Sequence, residues 1–72
     1  MITIDLTKVL KDRNMSSKEL AKRIGLTEAN LSILRSGKAK AIRFTTLSAI
    51  CHVLQCNPGD ILKYKEGDIN VY

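Results

Sequence analysis

Two helix-start signals, at Ser16 and Thr27, stand on either side of a single glycine, Gly25, and nothing else in the chain restricts its folding so tightly. In Ser16-Ser17-Lys18-Glu19 the first serine can cap a helix while Glu19 reaches back to the serine amide, the reciprocal pattern of a capping box. Met15 and Leu20 have the spacing of a hydrophobic staple around Ser16, and Leu26 and Leu31 repeat it around Thr27. The signals predict helices over 17–24 and 28–35. Leu20, Ala21 and Ile24 share the inner face of the first, Leu31 and Leu34 that of the second. Two helices crossing steeply through so short a turn leave no room for a large side chain at Ala21. The turn needs left-handed backbone, which Gly25 adopts without steric cost.

The rest of the chain supplies three further helices. Asp5, flanked by Ile4 and Val9, is a third expected cap and opens a helix over 6–13. Phe44, Leu47, Ile50, Cys51 and Leu54 follow helical spacing along a helix over 45–54. Asn57-Pro58-Gly59-Asp60 starts a final turn at 58–62, with proline first and an acid near the positive end of the helix dipole. Seventy-two residues make one domain, 1–72, burying roughly 60% of the unfolded surface. Phe44, Tyr64 and Tyr72 are the only aromatics, so the core is expected to be aliphatic. The expected fold is all-α, a compact five-helix domain. Ile2-Thr3-Ile4 and Ile69-Asn70-Val71 alternate, with Glu66-Gly67-Asp68 as turn material; they can pair as short terminal strands, within one chain or between two. A frayed C-terminal tail over 63–72 is the other reading.

The unit 17–36 is a helix-turn-helix, whose second helix enters the DNA major groove. The stretch MSSKELAKRIGLTEANLSILRSG, Met15 to Gly37, resembles the Cro/CI-type (XRE, lambda-repressor-like) helix-turn-helix transcriptional regulators. GKAKAIRFTTL, Gly37 to Leu47, and CNPGDIL, Cys56 to Leu62, are similar to a compact branch of that family. The resemblance covers roughly residues 4–62 and implies a five-helix DNA-binding domain acting in transcription. It departs from the family where many members carry glutamine, at Ser17 and Glu28. Ser17 can still donate one bond to phosphate. Glu28 can accept from a cytosine amino group, or it can simply stabilise the helix start through the dipole.

A helical wheel places the contact face independently of the family. Opposite Leu31 and Leu34 lie Ala29, Ser32, Ile33 and Ser36, with Glu28 and Asn30 toward the margins. The expected base-reading set is therefore Glu28, Ala29, Asn30, Ser32 and Ile33. Ile33 is apolar on a face that otherwise meets water: it contacts a thymine methyl, or it is an ordinary exposed isoleucine. Phosphate contacts are expected from Arg35, Ser36, Lys38, Lys40 and Arg43, a segment with no acid, together with Ser17 and Lys18 on the preceding helix. Ser36, Gly37, Ala39 and Ala41 are small enough for a close backbone approach, and Lys22 and Arg23 are secondary candidates. A net charge of +5, from 12 basic and 7 acidic residues, favours a polyanionic partner.

Other chemistries find little support. Cys51 and His52 with Cys56 suggest a metal, but tetrahedral zinc wants a fourth ligand, and both cysteines are expected to be buried structural thiols. No serine–histidine–acid set, paired carboxylates or glycine-rich phosphate loop is present in the sequence, so no enzyme, cofactor or small-molecule ligand is expected. The N-terminus lacks a basic start with an apolar run, and no apolar stretch approaches the roughly 20 residues that span a bilayer, which points to the cytoplasm without membrane attachment. Double-stranded DNA is the expected partner, bound by a homodimer because one short helix reads too few base pairs. Ile2, Ile4, Tyr64, Ile69 and Val71 are candidates for the dimer surface. The alternative is an antitoxin-like protein-interaction module that keeps the fold and uses another surface.

Overall fold

Both central caps form as their residues dictate. In the computed structural model, which describes residues 1–66, Ser16 Oγ and Thr27 Oγ1 each accept an N–H bond of 3.1 Å, from Glu19 and Asn30. They open α2 (Ser17–Ile24) and α3 (Glu28–Arg35). Only half of the capping box is made, because the Glu19 carboxylate turns forward to Arg23 at 3.2 Å, one helical turn along. Gly25 ends α2 in left-handed backbone, φ 75°, and the Leu26 N–H closes the turn on the Ala21 carbonyl at 2.9 Å.

Nothing lies within 4 Å of where a Gly25 side chain would begin, so the backbone alone decides what the position tolerates. Gly25→Val is expected to cost about 1–2 kcal/mol, the left-handed penalty for a residue with a Cβ. Gly25→Asn should recover most of that, since asparagine visits this region readily. Thermal unfolding of the two variants checks the pair; equal midpoints would contradict a backbone origin.

Around this pair stand α1 (Thr7–Asp12), α4 (Phe44–Leu54) and α5 (Pro58–Ile61), giving the expected five helices. Leu6, Val9, Leu10, Leu20, Leu31, Leu34, Leu47, Ile50, Leu54 and Ile61 form the core with Ala21, all aliphatic. Pro58 opens α5, and Asp60 Oδ2 accepts the Asn57 N–H at 2.9 Å. Asp5 does not cap α1; Leu6 holds that position with no side-chain bond. The Asp5 N–H instead donates to the Ile61 carbonyl at 2.7 Å, prolonging the pairing of a short sheet.

That sheet joins β1 (Ile2–Ile4) and β2 (Leu62–Tyr64), antiparallel, with Ile2 opposite Tyr64 and Ile4 opposite Leu62. The partner of the N-terminal strand is thus the segment leaving α5, which the sequence signals divide between helix and tail. The physical reason is local: the chain turns extended at Leu62 and lies directly beside β1, where Ile4 and Leu62 cover the end of the core. Residues 69–71 lie outside the described residues.

Phe44 also departs from expectation. Its spacing assigns it to the core face of α4, yet it is 85% exposed. Ile42, just before the Arg43 cap, packs against the core instead, at staple spacing from buried Leu47. One contact had no sequence signal: Arg13 donates from Nε to the Leu54 carbonyl at 2.7 Å and from Nη2 to the Gln55 carbonyl at 3.1 Å. A cation thereby closes the carbonyl end of α4, where the dipole is negative and Gln55 is left-handed at φ 51°.

Candidate nucleic-acid interface

The inward pull of Leu31 and Leu34 orients α3. With both leucines buried against α2 and the core, Glu28, Ala29, Asn30, Ser32 and Ile33 all lie in solvent on the opposite side. Ile33 is 49% exposed, an aliphatic side chain on an otherwise polar outer face. Asn30 sits at the margin: it lines an open cleft between α3 and α4 with Leu34, Ala41, Ile42, Arg43 and Thr46. Thr46, one helical turn beyond Arg43, puts a hydroxyl-bearing residue beside the candidate contacts, a position the sequence signals alone did not single out. Its i+3 spacing from Arg43 was the available clue.

The basic segment leaves α3 through a second left-handed glycine, Gly37 at φ 77°. Ala39 and Ile42 are half-buried and pin the loop to the core, while Lys38, Lys40 and Arg43 project into solvent. Among the described residues, Arg35, Lys38, Lys40 and Arg43 make no ion pair and no side-chain hydrogen bond. Their charge is therefore uncompensated at short range. Arg23 differs, being tied to Glu19. Lys18 is exposed and Ser17 half-buried at the start of α2, where the first helical N–H groups lack intrahelical partners. The Ser36 hydroxyl donates to the Ile33 carbonyl at 3.0 Å, so that proton must be released before it can serve a phosphate. The structure thus gathers Arg35, Ser36, Lys38, Lys40 and Arg43 on one continuous segment after α3. Ser17 and Lys18 stand apart from it, on α2.

Cys51 and Cys56 are half-buried, not buried as expected. They are the first and last residues of the turn that closes α4, joined by a Cys56 N–H to Cys51 carbonyl bond of 3.1 Å. This places them at the edge of the core, along one groove. Burial pushes the Cys56 thiol up, and the neighbouring Cys51 thiol adds to the shift. Among the described residues no three His, Cys, Asp or Glu side chains converge as a metal site.

A buried-face helix pair, a left-handed glycine between them and an outward second helix define the helix-turn-helix geometry. The family model of the Cro/C1-type helix-turn-helix DNA-binding domain matches residues 5–67. The chain belongs to the Cro/C1-type helix-turn-helix family. It is 55% identical over 67 residues to the uncharacterized HTH-type transcriptional regulator YozG of Bacillus subtilis (strain 168), covering 93% of this chain and 80% of that protein. The crystal structure of the transcriptional regulator VanUg superposes with a TM-score of 0.69 at 34% identity, over 86% of this chain and 84% of VanUg. A protein from Bacteroides fragilis shares the fold at a TM-score of 0.79 and 21% identity, over 88% of this chain and 100% of that one. Both α2 and α3 lie within the residues that the Cro/C1-type model matches.

Proposed function

We propose that this protein is a sequence-specific, double-stranded DNA-binding regulator of transcription that acts as a homodimer and represses by occupying its site. One observation carries the reading. The outer face of α3, with Ser32 and Ile33 at its centre, stands beside a segment whose four cations have no partner among the described residues. A base-reading surface and a phosphate-binding surface are adjacent, as groove recognition requires. The similarity to YozG and VanUg, both transcriptional regulators by name, supports the same reading. The site comprises Glu28, Ala29, Asn30, Ser32 and Ile33 toward the bases, and Ser17, Lys18, Arg35, Ser36, Lys38, Lys40 and Arg43 toward the phosphates. Residues 1–72 act as one domain, in the cytoplasm; no described helix is long and apolar enough to cross a membrane, and two free thiols suit a reducing compartment.

Selection of bound duplexes from a random pool yields the preferred site and its symmetry. On that site Ile33→Ala is expected to lose on the order of 1 kcal/mol, the scale of one lost base contact. The same change should cost almost nothing where the matching thymine is replaced by uracil, which lacks the methyl group. A double-mutant cycle reads the coupling directly. Additive effects at every thymine would make Ile33 an ordinary surface residue. Failure to select any sequence would refute specific recognition.

A further inference from the structure

Outside α3, three of the large apolar side chains left in solvent are Phe44, Ile2 and Tyr64. Phe44 stands 85% exposed at the first turn of α4, and Ile2 and Tyr64 face each other across the sheet at 62% and 66%. Phe44 lines an open groove of about 670 Å³ together with Leu47, Cys51, Cys56 and Leu62. Leu62 belongs to both features. Strand alternation puts it on the same face as Tyr64, with their partners Ile4 and Ile2 beside them. Leu62 therefore links the groove to the apolar face of the sheet.

Several observations select the occupant. Among the described residues no Asp, Glu, Lys or Arg lines the groove, in a chain of net charge +5. Two copies can meet here without pressing like charges together, which the basic segment and α2 would not allow. A small ligand would need convergent polar anchors; beyond the two thiols, only Ser48 and His52 bring polar side chains, and both are exposed. Finally, an apolar projection and an apolar recess share one patch. Such self-complementarity is what a two-fold axis requires; plug and recess on opposite sides would propagate into a filament instead.

We propose that this face is an isologous dimer interface, in which Phe44 of each copy seats in the groove of the other. The proposal rests on the homodimer reading above and names its surface. Phe44 directly follows Arg43, the last cation of the basic segment, so the interface begins where the DNA-facing segment ends. No residue of α3 lines the groove. An aromatic anchor in a recess is the usual centre of binding energy in an interface, so one substitution should suffice to open it.

The test is the oligomeric state of the full chain by sedimentation equilibrium, for the native protein, Phe44→Gln and Phe44→Tyr. Binding to a duplex with two half-sites and to one with a single half-site is measured in parallel. Glutamine is neutral and polar, at a position already in solvent in the monomer, so an unchanged circular dichroism melt is expected. Phe44→Gln should weaken dimerisation at least about 30-fold, the scale of an interface anchor. It should lose affinity for the paired site while binding the half-site as the native chain does, and Phe44→Tyr should restore most of the dimer. A native dimer untouched by Phe44→Gln overturns this interface and leaves the homodimer reading standing. A native chain that is monomeric free and on the paired site overturns both. Loss of half-site binding by folded Phe44→Gln would make Phe44 a DNA contact and overturn the proposal. A dimer that forms only after residues 67–72 are removed would give the groove to the chain's own end, and it too would overturn the proposal.

Discussion

Leu31→Ala is expected to lower the free energy of unfolding by about 2–5 kcal/mol, the range for truncating a fully buried leucine. Leu31 has no accessible surface and belongs to the cluster that contains Leu20, Leu34 and Leu47. A domain of this length holds only ~4–10 kcal/mol in total, so this one cavity removes a large share. The midpoint of thermal unfolding should drop by more than about 10 °C. DNA binding should fail through loss of folded protein, with every duplex affected alike. Ser32→Ala, one residue away but in solvent, should leave the midpoint within about 2 °C, because surface changes of this kind cost little. A Leu31→Ala variant as stable as the native chain would show that α3 is not anchored through its inner face, and the orientation of the whole candidate interface would fall with it.

Neutralising Lys38 and Lys40 together should weaken binding about 60-fold at 0.1 M salt. Each phosphate contact releases about 0.9 counterion, and two contacts contribute roughly that factor relative to 1 M salt. The slope of log affinity against log salt should therefore fall by about 1–2 units in Lys38→Gln/Lys40→Gln. The loss should be the same on preferred and unrelated duplexes, because phosphates carry no sequence information. Both lysines are exposed and unpaired among the described residues, and the half-buried neighbours Ala39 and Ile42 hold the backbone, so the fold should be unaffected. Unchanged slope and affinity would remove this segment from the interface. A loss confined to one sequence would instead move the lysines to the base edges.

The helical part of this architecture was legible because its signals are local. A serine or threonine cap, a staple pair and a left-handed glycine each act within a few residues, and α2 and α3 run over the ranges those residues predict. The orientation of α3 followed from period alone, since Leu31 and Leu34 leave only one face outward. Errors arose where two rules competed for one position. Asp5 has the chemistry of a cap, yet its backbone is claimed by the Ile61 carbonyl across the molecule. Phe44 has helical spacing with Leu47, but Ile42 reaches the core first from the preceding turn. The pairing of residues 2–4 with 62–64, and the grip of Arg13 on the end of α4, depend on chain ends and helix ends meeting in space. No window of sequence contains such information. For the contact residues, sequence could place side chains on a face; which bases they meet is a property of the complex.

The two-stranded sheet has a consequence for the order in which the molecule assembles. Its outermost bonds join the Met1 ammonium to the Lys65 carbonyl and the Lys65 amide to the Met1 carbonyl, 64 residues apart, in a chain otherwise dominated by local helical contacts. Ring closure over that span exceeds a single helical turn by roughly four doublings of loop length, about 2 kcal/mol of extra entropy cost. The local helical turns are therefore expected to form before the two ends meet, and the sheet to pair only once Leu6 and Ile61 have joined one core. The sheet is thus a clasp that joins the two ends of the described chain around a helical kernel.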